Sequence, residues 1–378
     1  MSKKRSLFCI LLSFILVFQT GILTHAASDV AVTGHVVPID AETYANAHYR
    51  EALEVIKQYQ QYYQVSNTEL EDAKLGIPFV IYEPEKPVQD EIYYYPILDA
   101  QDNVILIMSI MGTTKGWNLS VSEEWVDSLK KVGSITSDFI FYKLGDNLYA
   151  ENAQRRLIIS GQIGSKANIS SFQYETFQNK KRSISEINTR FVKVDTQNIK
   201  ITKSNQYDTY APDFSTSTSS SKICALYNEQ GQGPYGLFWA ASVATICNYL
   251  MGTNLTAINI ADRMGIGYDD GGGLNDAQLA LKSYGLLYNN VLDAQNRMSW
   301  SNLKSNIDYK YPVYVSAKTP DSGHAVTAYG YLVAAGTNYV VLWNSGTESS
   351  ITATFKSSGT TFTYNNDTYT WTYSISRY

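Results

Sequence analysis

The chain has 378 residues, with 30 Lys and Arg against 35 Asp and Glu and a formal net charge of −5. With no long basic run it is a poor candidate for nucleic-acid binding, which needs a cationic face to neutralise phosphates. Hydrophobic residues make up 44% of the chain, enough for a packed core, whereas its three cysteines are too few for a disulfide framework. Its length suggests two or three domains.

Residues 1–26 read as a secretory signal. Lys3, Lys4 and Arg5 precede an apolar stretch from Leu7 to Leu23, and Thr24 and Ala26 supply the small residues of a cleavage site after Ala26. Ser13, Gln19, Thr20 and Gly21 interrupt the stretch, which is short for a membrane span. A secreted, extracellular protein without a membrane anchor after cleavage is therefore expected. Thirty tyrosines among few charges fit that expectation.

Residues 27–202 read as an α+β unit. Tyr49, Leu53 and Ile56 recur near a 3.6-residue period and predict a helix over 41–64. Strands are expected at 77–82, 92–98, 104–111, 117–121, 139–144 and 147–150, separated by turn-forming clusters such as Pro84-Glu85-Lys86-Pro87. Ser122-Glu123-Glu124 predicts the start of a short helix reaching Val132. This unit shows no catalytic constellation. Residues 203–222 contain a Ser/Thr run from Ser215 to Ser221 and read as a flexible linker open to proteolytic nicking.

Residues 223–378 read as a second α+β domain, helices first and antiparallel strands after. Helices are expected over 237–251, 255–264 and 275–284, the last ended by Gly285, and Ser299 is expected to cap a fourth reaching Ile307. Strands are expected at 312–316, 324–333, 339–343, 351–356, 361–364 and 369–375, with Asn365-Asn366-Asp367 turning the final hairpin. Asp269-Asp270 before Gly271-Gly272-Gly273 lacks the alternating ligands of a calcium loop and reads as a flexible loop. The sequons at Asn118, Asn168, Asn254 and Asn366 are expected by accident in a chain of this composition. No cofactor or metal is expected.

The chemistry concentrates at the start of the first helix of this domain. Gln232-Gly233-Pro234-Tyr235-Gly236-Leu237-Phe238-Trp239-Ala240-Ala241-Ser242 leads into a helix N-terminus, whose free N–H groups and positive partial charge suit a thiolate or an oxyanion. His324 opens one predicted strand and Asn344 closes the next. The asparagine is thus placed to orient the imidazole, as the third member of a triad does.

These residues resemble the papain-like cysteine peptidases, whose motif Q-G-x-x-G-x-C-W-[AG]-[FA]-S reads Q-G-P-Y-G-L-F-W-A-A-S in this sequence. The resemblance covers about 223–378 and is nearest the compact bacterial staphopain-like branch. It implies a papain-like fold, with a helical half opening on the nucleophile-position helix and an antiparallel half-barrel. Residues 27–202 would be a pro-region packing over the cleft. It also implies roles for Gln232 in an oxyanion hole, for His324 and Asn344 in catalysis, and for Trp239 and Ser242 in supporting the cleft.

The departure is at the nucleophile position, which is Phe238. An aryl ring has no ionisable proton and cannot attack a carbonyl. Cys247 lies nine residues further along the same helix, on its opposite face, and Cys224 precedes the motif. The sequence leaves open whether these two pair. The family's tryptophan after Asn-Ser is replaced by Gly346, which would weaken the shielding of the His324–Asn344 pair. The expectation is an inactive homologue that binds a peptide, a peptidase or an inhibitor in the old cleft. The alternatives are an active secreted endopeptidase zymogen that lost its nucleophile only in this variant, and a non-catalytic surface or adhesion module.

Overall fold

The computed structural model describes residues 31–32, 37–76, 78–83, 91–133, 138–144, 147–151, 156–159 and 220–378. The expected signal over 1–26 and the linker up to 219 lie outside these residues.

In chain order the first segment holds β1 (Ala31–Val32), α1 (Ile39–Gln58), α2 (Asn67–Glu71), β2 (Lys74–Leu75), β3 (Ile81–Tyr82), β4 (Ile92–Leu98), β5 (Val104–Thr113) and β6 (Gly116–Ser122). It continues with α3 (Val126–Gly133), β7 (Asp138–Leu144), β8 (Asn147–Glu151) and β9 (Arg156–Ile159). From residue 220 onward come β10 (Ser221–Ile223), α4 (Phe238–Met251), α5 (Ala257–Met264), α6 (Leu274–Ser283), β11 (Asn290–Leu292) and α7 (Trp300–Asp308). The chain ends in β12 (Val313–Lys318), β13 (Gly323–Ala334), β14 (Thr337–Asn344), β15 (Ser349–Thr354), β16 (Thr361–Tyr364) and β17 (Asp367–Ser376). The protein is thus of mixed α+β class.

Local chemistry accounts for most of the boundaries. α1 starts after Pro38 with Asp40 and Glu42 in its first turn, where the positive end of the helix favours acids. It buries Ala41, Ala45, Tyr49, Ala52, Leu53 and Ile56, a stripe at helical spacing. α1 stops at Gln58, and a 3₁₀ turn (Gln60–Tyr62) takes up half of the remaining predicted helix. There the Tyr59 hydroxyl donates to Tyr331 O at 2.7 Å, and the Tyr63 hydroxyl bonds Thr352 Oγ1. Ser299 caps α7 as expected, accepting from Asn302 N–H at 3.1 Å.

Twelve strands among the described residues form one antiparallel sheet in the order β11-β17-β12-β13-β14-β15-β6-β5-β4-β2, with β10 on β13 and β16 on β17. The sheet continues from the second segment into the first through β15 and β6, paired Ile351↔Ser122, Thr352↔Val121 and Ala353↔Ser120. Ser221 and Lys222, expected to close the linker, instead open β10. β13 shifts register between Ala328 and Gly330, pairing with β12 before the shift and with β10 after it. Such an irregularity bends the strand and adds to the local twist of the sheet. A smaller sheet, β1-β7-β8-β9, has β3 alongside β7.

One hydrophobic core spans both segments. Tyr49, Leu53 and Ile56 of α1 share it with Tyr329, Leu342 and Ile351, all buried. A second core joins α4, α5 and α6, with Trp239, Ile246, Ile260 and Leu281 buried.

Candidate functional site

The site is assembled where the N-terminus of α4 meets the starts and ends of β13, β14 and β16. Asn344, the last residue of β14, is the register partner of Val326 on β13. Val326 lies two residues from His324, so His324 and Asn344 project from the same face of the sheet. His324 Nε2 and Asn344 Oδ1 are 2.8 Å apart. The Gly346 N–H also donates to Asn344 Oδ1, at 3.0 Å. An amide oxygen accepts and never donates, so the imidazole proton sits on Nε2 and the Nδ1 lone pair is free to act as a base.

Phe238 is the first residue of α4. Its ring meets the imidazole of His324 edge-on, with centroids 5.4 Å apart and planes at 60°. Leu237, the N-cap residue, makes no side-chain cap, so the first N–H groups of α4 have no capping acceptor from that residue. One turn on, Ser242 O accepts the Thr327 hydroxyl at 3.4 Å, which ties α4 to β13 behind the site.

His324 is only 2% exposed. Tyr364, the last residue of β16, stacks on its ring with centroids 4.5 Å apart and planes at 20°. Tyr369 of β17 packs beside it at 5.5 Å. These two tyrosines take over the shielding that Gly346 was expected to forfeit. A Cβ on Gly346 would run into the Tyr364 hydroxyl, so the glycine and the ring are complementary. Burial pushes the imidazole down to about 4, only partly offset by the bond to Asn344, so it is neutral at pH 7.

Gln232 is brought to the residue beside Asn344, its N–H donating to Ser345 O at 3.1 Å. Trp343 Nε1 donates to Gln230 O at 3.1 Å and fixes the same loop. The side chain of Gln232 turns back on its own loop, with Nε2 donating to Tyr235 O over a long 3.4 Å. Gln232 Oε1, Trp239 Nε1, Ser242 Oγ, Asn344 Nδ2 and Ser345 Oγ are buried polar atoms without a hydrogen-bond partner. Five such atoms around one helix start represent unspent bonding capacity, since an unsatisfied buried polar group costs about 1–3 kcal/mol.

Trp239 is fully buried. It explains the glycine-rich segment after Asp269-Asp270: a Cβ on Gly272 would enter the Trp239 indole. Close approach to this ring, rather than ligand binding, requires the glycine.

Cys224 and Cys247 are both buried and both free. Burial pushes each thiol up to about 12, far from the thiolate a nucleophile needs. Among the described residues no group of three or more His, Cys, Asp or Glu side chains is arranged to hold a metal ion. Among those residues, too, no helix is long and apolar enough to cross a membrane. Two of the sequons are structural: Asn118 and Asn366 are buried, the first donating to Thr361 and the second to Glu83.

Sequence reasoning named His324, Asn344, Gln232, Phe238, Trp239 and Ser242 but missed Tyr364 and Tyr369. The available signal was Gly346, whose missing side chain leaves room that another ring must fill.

No family model matches the chain, and no curated protein matches it. Among solved structures, a chain with some similarity is digestive procathepsin L 3 of the Tenebrio molitor larval midgut. It is 15% identical over 40% of this chain and 69% of that one, with a TM-score of 0.29.

Proposed function

We propose that this chain is a secreted homologue of the papain-like cysteine peptidases that has kept the site and lost the reaction. In this reading residues 1–26 are a signal, 27–202 a pro-region, 203–222 a linker and 223–378 the peptidase-type domain. Its ligand is a peptide or protein segment, and its pro-region is its first partner. The observation that carries the reading is the ring of Phe238 at the first position of α4, packed on an imidazole whose Nε2 proton is given to Asn344. The base and its orienting amide are in place for a nucleophile, and the atom they face is carbon. No proton can be taken from it and no acyl-enzyme can form.

Iodoacetamide or an active-site-directed epoxide applied to the native protein should mark no cysteine in the cleft, and peptide substrates should remain intact. Adduct mapping that found a modified cleft thiol, or hydrolysis by the pure protein, would overturn the reading. Binding of an immobilised peptide library, weakened by Phe238→Ala, would support retention of a peptide cleft.

The second reading is an endopeptidase zymogen whose cysteine is missing only in this variant; the neutral, oriented His324 is compatible with it and makes it testable. Phe238→Cys would place a thiol at a helix N-terminus beside that imidazole, where a thiolate is stabilised. Hydrolysis by the purified Phe238→Cys protein, freed of residues 27–202, would support recent loss. Persistent inactivity would support long-standing inactivity.

A further inference from the structure

The turn between β16 and β17 is held by side chains from the other end of the sequence. Asn365 and Asn366 both have positive φ, 50° and 63°, as a two-residue hairpin turn requires. Glu124 accepts from the Asn365 N–H at 2.7 Å. Lys143 donates to Asn365 O at 2.8 Å and to Asp367 Oδ2 at 3.1 Å. Asn366 donates through Nδ2 to Glu83 at 2.6 Å and accepts from the Tyr94 hydroxyl at 2.8 Å. Four side chains from the first segment thus grip one turn. The residue just before that turn is Tyr364, whose ring lies on His324.

We propose that the N-terminal segment acts on the site from behind, as a clamp on the β16–β17 turn that holds Tyr364 over His324 and so keeps the imidazole dry and neutral. The clamp touches neither Phe238 nor the mouth of α4, so it differs from a segment laid across a cleft. Releasing it would free the hairpin end, unstack Tyr364 and admit water to His324. The inference rests on the geometry of the turn and the rings, not on which ligand the cleft takes.

The grip is also poised electrostatically. The Glu124 carboxyl is partly buried, and its desolvation pushes it up to about 7 against the pull of the Asn365 N–H, the Trp125 side chain and Lys143. Asp367 on β17 pushes in the same direction as burial, and the Tyr364 phenol faces the carboxyl from β16. Rising pH therefore places a charge in a partly enclosed site, at a cost that the Asn365 N–H and Lys143 offset only in part.

The test uses the full chain. Asn366→Gly keeps the positive-φ turn while deleting the bonds to Glu83 and Tyr94, and Lys143→Met deletes two more. Hydrogen exchange reads the turn and the following strand. The imidazole resonance of His324, assigned by its loss in His324→Gln, reads the site. The expected result is faster exchange over 361–370 together with a rise of about one unit or more in the His324 pKa, toward the ordinary ~6.5. Tyr364→Ala should produce the same rise directly. Faster exchange with an unmoved His324 pKa would overturn the proposal, because the site would then be independent of the clamp. Unchanged exchange would overturn it too, because the grip would then not hold the turn. If the double variant does not fold, Asn366→Gly alone carries the same comparison.

Discussion

Two desolvated groups, His324 buried and Glu124 partly buried, should give this protein opposite and nearly cancelling pH dependences. His324 is held neutral, its pKa lowered from 6.5 to about 4 by burial. Below pH 6.5 the unfolded chain takes up a proton that the folded one refuses, so stability falls as pH drops toward 4. Glu124 is raised from 4.5 to about 7 by burial. Here the folded chain takes up the proton first, so stability rises as pH drops from 7 toward 4.5. Over pH 7 to 5 the linkage relation gives a loss of roughly 2 kcal/mol from His324 and a gain of roughly 2 kcal/mol from Glu124. Urea unfolding at the two pH values should therefore differ little for the wild type on account of this pair. His324→Gln should gain about 2 kcal/mol relative to that baseline on acidification, and Glu124→Gln should lose about as much. All other titrations are common to the three proteins, so the comparison isolates these two. Three parallel pH profiles would refute the reasoning, because neither group would then have the buried environment assigned to it.

Four further outcomes follow from the packing. Gly272→Ala should lower stability by about 1–3 kcal/mol and shift tryptophan fluorescence, since its Cβ would enter the Trp239 indole. Gly271→Ala, which meets no neighbouring atom but has a φ of 64°, should lose about 1 kcal/mol and leave the fluorescence alone. Cys224 and Cys247 should resist iodoacetamide at pH 8 in the native state and label fully in denaturant, because burial holds both thiols at about 12; rapid native labelling would refute their burial. The isolated 223–378 fragment loses the β6 edge and the α1 cover, including the Tyr339 hydroxyl bond to Glu51. It should bind a hydrophobic dye and melt broadly until a separate 27–202 fragment is added. A sharp, dye-free melt of the fragment alone would refute that dependence.

Much of the second segment was legible because local signals and tertiary structure agree there. α4 begins one residue from its expected start, and β16 spans 361–364 as expected. The two asparagines of the final turn have the positive φ that their chemistry permits. The first segment was less legible. Ser122-Glu123-Glu124 reads as a helix start, yet α3 opens at Val126, after Trp125 at a φ of 73°. The reason is tertiary: the Glu124 carboxyl is taken by Asn365 from the far end of the chain and the Glu123 carboxyl by the Gln64 N–H, leaving Asp127 as the acid of the first turn. Of the strand expected at 77–82, the described residues keep the two-residue β3, which pairs with β7, and a bridge from Phe79 to Tyr94. In the site, the His324–Asn344 pair could be read from order and spacing. Its cover could not, because Tyr364 reaches His324 across β17 and β12, a strand order that the sequence does not announce.

The survival of His324 and Asn344 beside Phe238 has a structural explanation that requires no reaction. Asn344 Oδ1 takes two N–H groups, from His324 and from Gly346, in a place almost without solvent. Replacing Asn344 by an apolar residue would strand both donors, at about 1–3 kcal/mol for each buried group left unsatisfied. Replacing His324 by a small residue would open a cavity beneath Tyr364 and Tyr369, with a further loss that grows with its volume. Phe238 stands in the opposite position. It is half-buried at a helix start and gains an edge-on contact with the imidazole, a geometry that contributes about 0.5–1.5 kcal/mol. On the proposed reading, exchange of a nucleophile for phenylalanine would cost the fold little, whereas loss of either partner would cost it stability. An intact pair is accordingly no sign that the nucleophile disappeared recently, and the activity of Phe238→Cys discriminates where the pair cannot.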